Sequence, residues 1–206
     1  IREGFDTRIR HLKETNEYMQ SAIGKTNVSK WTGDKAEVKT FHTLEGDIRL
    51  TAAQVMSLYE LAKRPQAEAH ILVGGIKADA IRMGRREVRQ ARAVHVSRRE
   101  LQEITDTLTA DQKRIADAIQ KYMGAQCAKW GNNVSMQMYG YEKFTEEHYF
   151  PIKVDKNTVA VSDKSEENAS YYAVQNISAS KALTPKANNP LMLQDIFDVF
   201  TDHVVQ

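Results

Sequence analysis

Three helix-start signals, spaced well apart, constrain this chain more than any other feature. Thr51-Ala52-Ala53-Gln54, Ser97-Arg98-Arg99-Glu100 and Thr109-Ala110-Asp111-Gln112 each match the capping box. In that box the first hydroxyl accepts from the amide three residues on, while the Gln or Glu side chain reaches back to the cap amide. Each such cap contributes about 1 kcal/mol. The runs behind two of them are apolar at helical spacing. Val55, Leu58, Tyr59 and Ala62 follow Thr51, and Ile115, Ile119, Tyr122, Met123, Cys127 and Trp130 follow Thr109 for about six turns. Gly131-Asn132-Asn133 is expected to disturb the end of that second helix.

The other elements are read from the same kind of signal. Residues 2–23 predict a polar helix with a thin stripe (Phe5, Ile9, Leu12, Met19, Ile23), stopped at Gly24 and packed on a surface rather than in a core. Pro65 ends or kinks the Thr51 helix and opens another through Ala67, His70 and Ile71, which Gly74-Gly75 closes. Val38, Thr40 and Phe41, then Ile48 and Leu50, flank a Leu44-Glu45-Gly46-Asp47 turn and predict a short hairpin. A second hairpin is expected around Asp155-Lys156-Asn157, and a solvated loop over 162–169. Glu146 and Glu147 are expected in the first turn of a helix that follows Thr145. The last helix is placed with Asn189 as its cap and Pro190 at its first position, and Leu193, Ile196, Phe197, Phe200 and Val204 make one apolar face. The predicted fold class is mainly α: a multi-helix domain with one or two short β-hairpins. A polar helix over 1–24 precedes a helical accessory domain over 25–206. The chain opens on Ile1 and its final helix carries no stop signal, so the expectation is a piece excised from a longer polypeptide and cut in or just after that helix.

Composition narrows the function classes. With 41% hydrophobic and 27% charged residues the chain is neither disordered nor fibrous. No apolar stretch approaches the roughly 18–20 residues that span a bilayer, so no membrane partner is expected. A single cysteine, Cys127, cannot form an internal disulfide or build a cysteine metal site. The six histidines include no i,i+4 pair that would set two imidazoles on one helix face for zinc. Phosphate-loop, dinucleotide and nucleophile-elbow motifs are absent from the sequence. No catalytic residue, metal or cofactor is expected on these grounds.

One charge asymmetry stands out from the overall +2. Between residues 76 and 100, eight basic residues against three acidic ones give +5, which leaves the rest of the chain at −3. Arg82, Arg85, Arg86 and Arg89 would share one face of a helix, and Arg92, Arg98 and Arg99 extend the segment. Such a face could neutralise phosphates and give salt-dependent, sequence-tolerant binding. The plainer reading is a solvated face or pairing with an acidic surface. The aromatics from Trp130 to Phe150 could stack bases, but Lys143 is the only basic residue among them, and packing at a helix junction explains them better.

Three runs carry a resemblance: Leu50–Arg64 continued by Gln66, Ala67, His70 and Gly74-Gly75-Ile76; Trp130–Met136 continued by Tyr139–Phe144 and Tyr149–Ile152; and Asn189–Phe200 with His203. Together they resemble a segment of the very large polyvalent proteins of tailed phages and prophages, where comparable segments lie beside helicase, methyltransferase, peptidase or head-morphogenesis modules. The resemblance spans about residues 40–206, and the helix over 2–23 adds nothing to it. Pro65 departs from it, standing where a helix-continuing residue is expected. The N-terminus lacks the apolar region of a signal peptide, so bacterial cytoplasm is the expected compartment, and the resemblance implies a phage-encoded accessory region that can be packaged in the virion and delivered with the genome. It supplies no catalytic residue.

The expected function is therefore a non-catalytic structural or interaction domain. It would present Leu193, Ile196, Phe197, Phe200 and Val204 to the remainder of the parent polypeptide or to another phage protein. The alternative is a nucleic-acid-binding module using the arginines of 82–99. A third reading is an enzyme with a site near Arg64, Gln66, His70, Tyr141, Lys143 and His148.

Overall fold

All three capping boxes form, each with both reciprocal bonds in place. The structure is a computed structural model that describes residues 2–83, 86–88, 92–146, 148–154 and 189–205. Helix α1 runs Arg2–Ile23, followed by a short 3₁₀ turn at Gly33–Lys35. Strands β1 (Val38–Thr43) and β2 (Gly46–Thr51) lead into α2 (Ala52–Ala62) and α3 (Pro65–Gly74). Strands β3 (Ile76–Ala78), β4 (Ile81–Met83) and β5 (Arg86–Val88) precede α4 (Arg98–Thr105) and α5 (Ala110–Tyr122). A π-turn at Met123–Cys127 joins α5 to α6 (Ala128–Tyr139). Strand β6 (Leu191–Leu193) and the last helix, here α7 (Ile196–Val205), close the fold. The chain is mainly α with small two-stranded sheets.

Helix α2 lies at the centre, because every residue from Ala53 to Leu61 except Tyr59 is buried. A helix apolar nearly all round has no solvent face and must be covered on every side. Helices α3, α4, α5 and α7 and strands β2 and β6 all pack against it. Ile48 and Leu50 of the β1–β2 hairpin, Ile71, Ile115, Ile119 and Leu191 are fully buried in the same core. The hairpin pairs Val38 with Thr51 through to Thr43 with Gly46, leaving Leu44-Glu45 as a two-residue turn where the sequence predicts one.

Helix α1 packs on the outside of this assembly, as its thin stripe predicts. Its half-buried ring of Tyr18 stands 4.5 Å from Tyr122, His11 stacks on Trp130 at 3.8 Å, and Thr15 and Tyr122 share a 3.0 Å hydrogen bond.

Four expectations need correction. The described part of the arginine-bearing segment is not helical: β4 and β5 form an antiparallel pair with Arg82 opposite Glu87 and Arg86 opposite Met83. The final helix begins at Ile196, six residues past Pro190, because Leu191–Leu193 completes a parallel pair with Ile76–Ala78. Asp195, not Asn189, accepts from the first turn, taking the Phe197 amide at 2.9 Å. The Thr109 helix does not stop at Gly131-Asn132-Asn133. It shifts register through the π-turn and continues to Tyr139, where Gly140 ends it. Residues 142–146 carry no regular structure, so Glu146 sits in no helix. The hairpin and loop expected at 155–157 and 162–169 lie outside the described residues.

Strands β3 and β6 anchor a small composite sheet. Val94 bridges Ile76 on one side, and Val154 bridges Leu191 on the other. Gly75 makes the close approach possible: its φ is +79° and its ψ −177°, and a Cβ there would stand 2.9 Å from the Val94 carbonyl oxygen. That backbone region is open essentially to glycine alone.

Candidate functional site

The charged groups of α2 converge where that helix ends. Glu60 sits one turn before the C-terminus on a face that α5 and the segment after α6 cover, and its side chain is fully buried. Lys63, the C-cap, donates from Nζ to Glu60 Oε1 at 3.0 Å and to the Asp117 carboxylate of α5. The same Nζ lies 3.8 Å above the Tyr59 ring, a cation–π contact that offsets part of its lost hydration. His148 arrives from the segment after α6, with Nε2 3.0 Å from Glu60 Oε2. Neither of those two atoms has a hydrogen-bond partner of good geometry among the described residues.

Burial shapes the protonation of this cluster. It pushes the Glu60 carboxyl up to about 7, against the opposing pull of Lys63. Burial also lowers His148, helped by the positive charges of Lys63 and Arg64. Asp117 is pushed up by burial, but its bonds to Lys63 and Glu60 outweigh this and hold it below the usual range. Lys63 loses hydration too, yet its two carboxylate partners keep its ammonium above the usual value. A carboxyl that is about half protonated at neutral pH, in contact with an imidazole biased towards its neutral form, can hold or exchange a proton.

Beside this cluster a cleft of about 190 Å³ opens between Lys63, Arg64, Pro65, Gln66, Glu146 and His148. The Arg64 guanidinium donates to the Phe150 carbonyl at 3.3 Å and stands 3.5 Å from Glu146 Oε2.

The structure brings together only part of the enzyme grouping read from sequence. Arg64, Gln66 and His148 line the cleft. His70 does not: it is buried elsewhere, its Nε2 2.7 Å from the Asn189 carbonyl oxygen. Tyr141 and Lys143 lie at the end of α6, where Lys143 Nζ sits 3.3 Å over the Tyr139 ring. The sequence reading missed Glu60 and Asp117. A signal for Glu60 existed, since a lone acid in the otherwise apolar run Val55–Ala62 must be buried and needs a cation, here Lys63 three residues on. Nothing local marked Asp117.

The partner-binding residues are not presented. Leu193, Ile196 and Phe200 are buried in the chain's own core, and Phe197 and Val204 pack against it. The α7 face is satisfied internally, which corrects the expectation that it awaits a partner. Among the seven arginines, Arg85 and Arg89 lie outside the described residues. Arg82 and Arg86 are on the β4–β5 ribbon, where extended geometry makes no four-residue helical face. Arg92 is exposed. Arg98 pairs with Glu68 at 3.0 Å and Arg99 with Glu103 at 2.8 Å.

A different apolar surface is open. On α6 and the segment after it, Val134, Met136, Met138, Tyr139 and Tyr141 are between 48% and 65% exposed. That segment folds back along the helix: Asn132 and the Phe144 backbone exchange two hydrogen bonds, and Ser135 donates to the Tyr141 carbonyl at 2.7 Å. Among the described residues no group of three His, Cys, Asp or Glu is placed to hold a metal ion, and no helix is long and apolar enough to cross a membrane. Cys127 is half-buried in the π-turn, where burial pushes its thiol up to about 11. No family model, curated protein or solved structure matches the chain.

Proposed function

We propose that the chain is a non-catalytic structural and interaction domain of a phage-encoded polyvalent protein, and that it meets its partner through α6. One observation carries the reading: five large apolar residues of α6 and its returning segment each keep about half of their surface in water. Large apolar side chains exposed this densely along one short element mark an interaction surface more often than isolated exposed residues do. The partner is a protein surface rather than nucleic acid. Lys129 and Lys143 balance Glu142 and Glu146 across residues 128–146, so the patch offers phosphates no net attraction. Two methionines among the five supply unbranched, polarizable side chains that fit an irregular apolar partner. The resemblance to polyvalent proteins makes the remainder of that parent polypeptide the occupant.

Co-expression of the chain with the flanking parent segments in trans tests this. Size-exclusion chromatography is expected to show a complex with the wild-type chain and none with Met136→Glu/Met138→Glu, at equal thermal stability. Equal complex formation by the double variant, or none by the wild type, overturns the proposal.

A further inference from the structure

The cleft at the junction of α2 and α3 is separate from the α6 surface. Its volume, about 190 Å³, lies below the roughly 300 Å³ at which pockets for drug-sized ligands begin. Only a small molecule or ion fits.

The two cations in its wall are in different states. Lys63 is fully engaged by Glu60, Asp117 and the Tyr59 ring. Arg64 is not. Its side chain is only 14% exposed, and a guanidinium carries five N–H donors that do not lose their need for acceptors when water is removed. The described partners are the Phe150 carbonyl at 3.3 Å and the Glu146 carboxylate at 3.5 Å. Both distances exceed the roughly 2.7–2.9 Å of a well-made charge-assisted bond. Arg64 is thus a largely buried fork with a poorly fitted anion resting against it.

That anion is itself informative. Glu146 comes from a stretch without regular structure, its side chain is 44% exposed, and it reaches into the cleft from the rim. It stands near the first turn of α3, whose N-cap is Arg64 and makes no side-chain bond to the helix. Pro65 opens the helix without an N–H, which leaves the Gln66 and Ala67 amides of the first turn to favour negative charge there. A carboxylate, an under-bonded guanidinium and a helix start therefore meet in one small cleft, with His148 on its wall.

We propose that Arg64 anchors a binding site for a small oxyanion, a carboxylate or phosphate group, and that Glu146 is an internal stand-in which such a ligand displaces. The site is independent of the α6 surface and goes beyond the interaction role.

Titration of the whole chain with inorganic phosphate and, separately, with acetate tests it, against sodium chloride at matched ionic strength and followed by amide shifts in two-dimensional NMR. Shifts are expected at residues 63–68 and 146–150, and the tighter of the two anions identifies the oxyanion. Glu146→Gln removes the internal competitor and is expected to bind several-fold more tightly. Arg64→Gln removes the fork and is expected to bind about tenfold more weakly or not at all, the worth of one charge-assisted hydrogen bond. The proposal is overturned if Arg64→Gln, folded by circular dichroism, binds like the wild type, or if neither anion exceeds the chloride control in Glu146→Gln. Should Arg64→Gln fail to fold, the exposed Glu146→Gln variant decides alone: no gain in affinity sinks the proposal.

Discussion

His148 Nε2 stands 3.0 Å from Glu60 Oε2, and the Glu60 side chain is sealed from solvent. The groups around this pair are Lys63 at the end of the Glu60 helix, Asp117 from α5, and Arg64 beside His148. Burial of that carboxyl makes the stability of the fold depend on pH in a definite direction. Glu60 titrates near 7 when folded and near 4.5 when unfolded. The native state therefore holds this proton where the unfolded chain releases it. The associated stability is fully present below about pH 4.5 and is lost as pH rises towards 7. Glu60→Gln keeps the shape and does not titrate. Denaturant unfolding at pH 5 and pH 8 is expected to show the variant gaining on the wild type by up to about 3 kcal/mol between those values. His148, lowered in the fold, acts in the opposite sense: the unfolded chain takes its proton more readily, so its cost appears as pH falls below about 6.5. His148→Asn isolates that contribution, and a pH profile identical to the wild type in both variants would show that the pair is uncoupled from folding.

Gln54 ties a helix cap to a sheet. Its Oε1 accepts from the Thr51 amide at 3.0 Å, and its Nε2 donates to the part-buried Asp79 carbonyl at 3.1 Å and the buried Leu193 carbonyl at 3.2 Å. Among the described residues Gln112 performs only the cap role at Thr109. Thr109→Ala and Ser97→Ala are expected to cost about 1 kcal/mol each. Gln54→Ala strips partners from buried backbone groups as well, and about 3 kcal/mol is expected. Urea unfolding of the three variants side by side checks the order, and equal losses would mean that the sheet contacts contribute nothing.

These residues also show what the sequence could reveal. Capping boxes and the Leu44-Glu45 turn are local chemistry, complete within four residues, so Thr51, Ser97, Thr109 and the first hairpin were readable directly. The β3–β6 pair was not, because Ile76 and Leu191 are joined only in space. Three residues of strand show no period, so Leu191–Leu193 read as the start of the apolar helix that follows. Arginines at i, i+3, i+4 and i+7 fit a helix, but Ile81 and Val88 are paired across antiparallel strands and the spacing is coincidental. At the candidate site, the sequence groups Arg64, Gln66, His70, Tyr141, Lys143 and His148, and the fold brings only Arg64, Gln66 and His148 of these to one cleft. Glu60 and Asp117 stayed hidden because a charged residue on a helix reads as solvent-facing until the element that covers it is known.

Gly75 should be the least replaceable glycine described. Gly46 also has positive φ, but a Cβ there meets nothing within 4 Å. At Gly75 the added atom meets the Val94 backbone, whose bonds with Ile76 at 2.8 and 2.9 Å hold one edge of the small sheet. Gly75→Ala is expected to cost about 3 kcal/mol or more, combining a backbone region closed to side chains with a backbone clash. Gly46→Ala is expected to cost about 1 kcal/mol. Thermal unfolding of both variants separates the two effects, since equal losses would leave φ alone as the cause.

Gly131 gives control of the segment that returns along α6. A Cβ at this helical position would come within 2.6 Å of the Phe144 ring, which lies directly on it. Gly131→Ala improves helix propensity by about 1 kcal/mol, and the ring, 39% exposed, is free to move outward. The variant is therefore expected to keep global stability within about 1 kcal/mol of the wild type. The local price is the pair of bonds between Asn132 and the Phe144 backbone at 2.8 and 2.9 Å. Hydrogen exchange at the Phe144 amide is expected to speed up while exchange at the buried amides of α2 stays unchanged. Accelerated exchange in α2 as well would mean that the segment after α6 belongs to the same cooperative unit as the core. Unchanged exchange at Phe144 would mean that the ring accommodates the methyl group without releasing the segment.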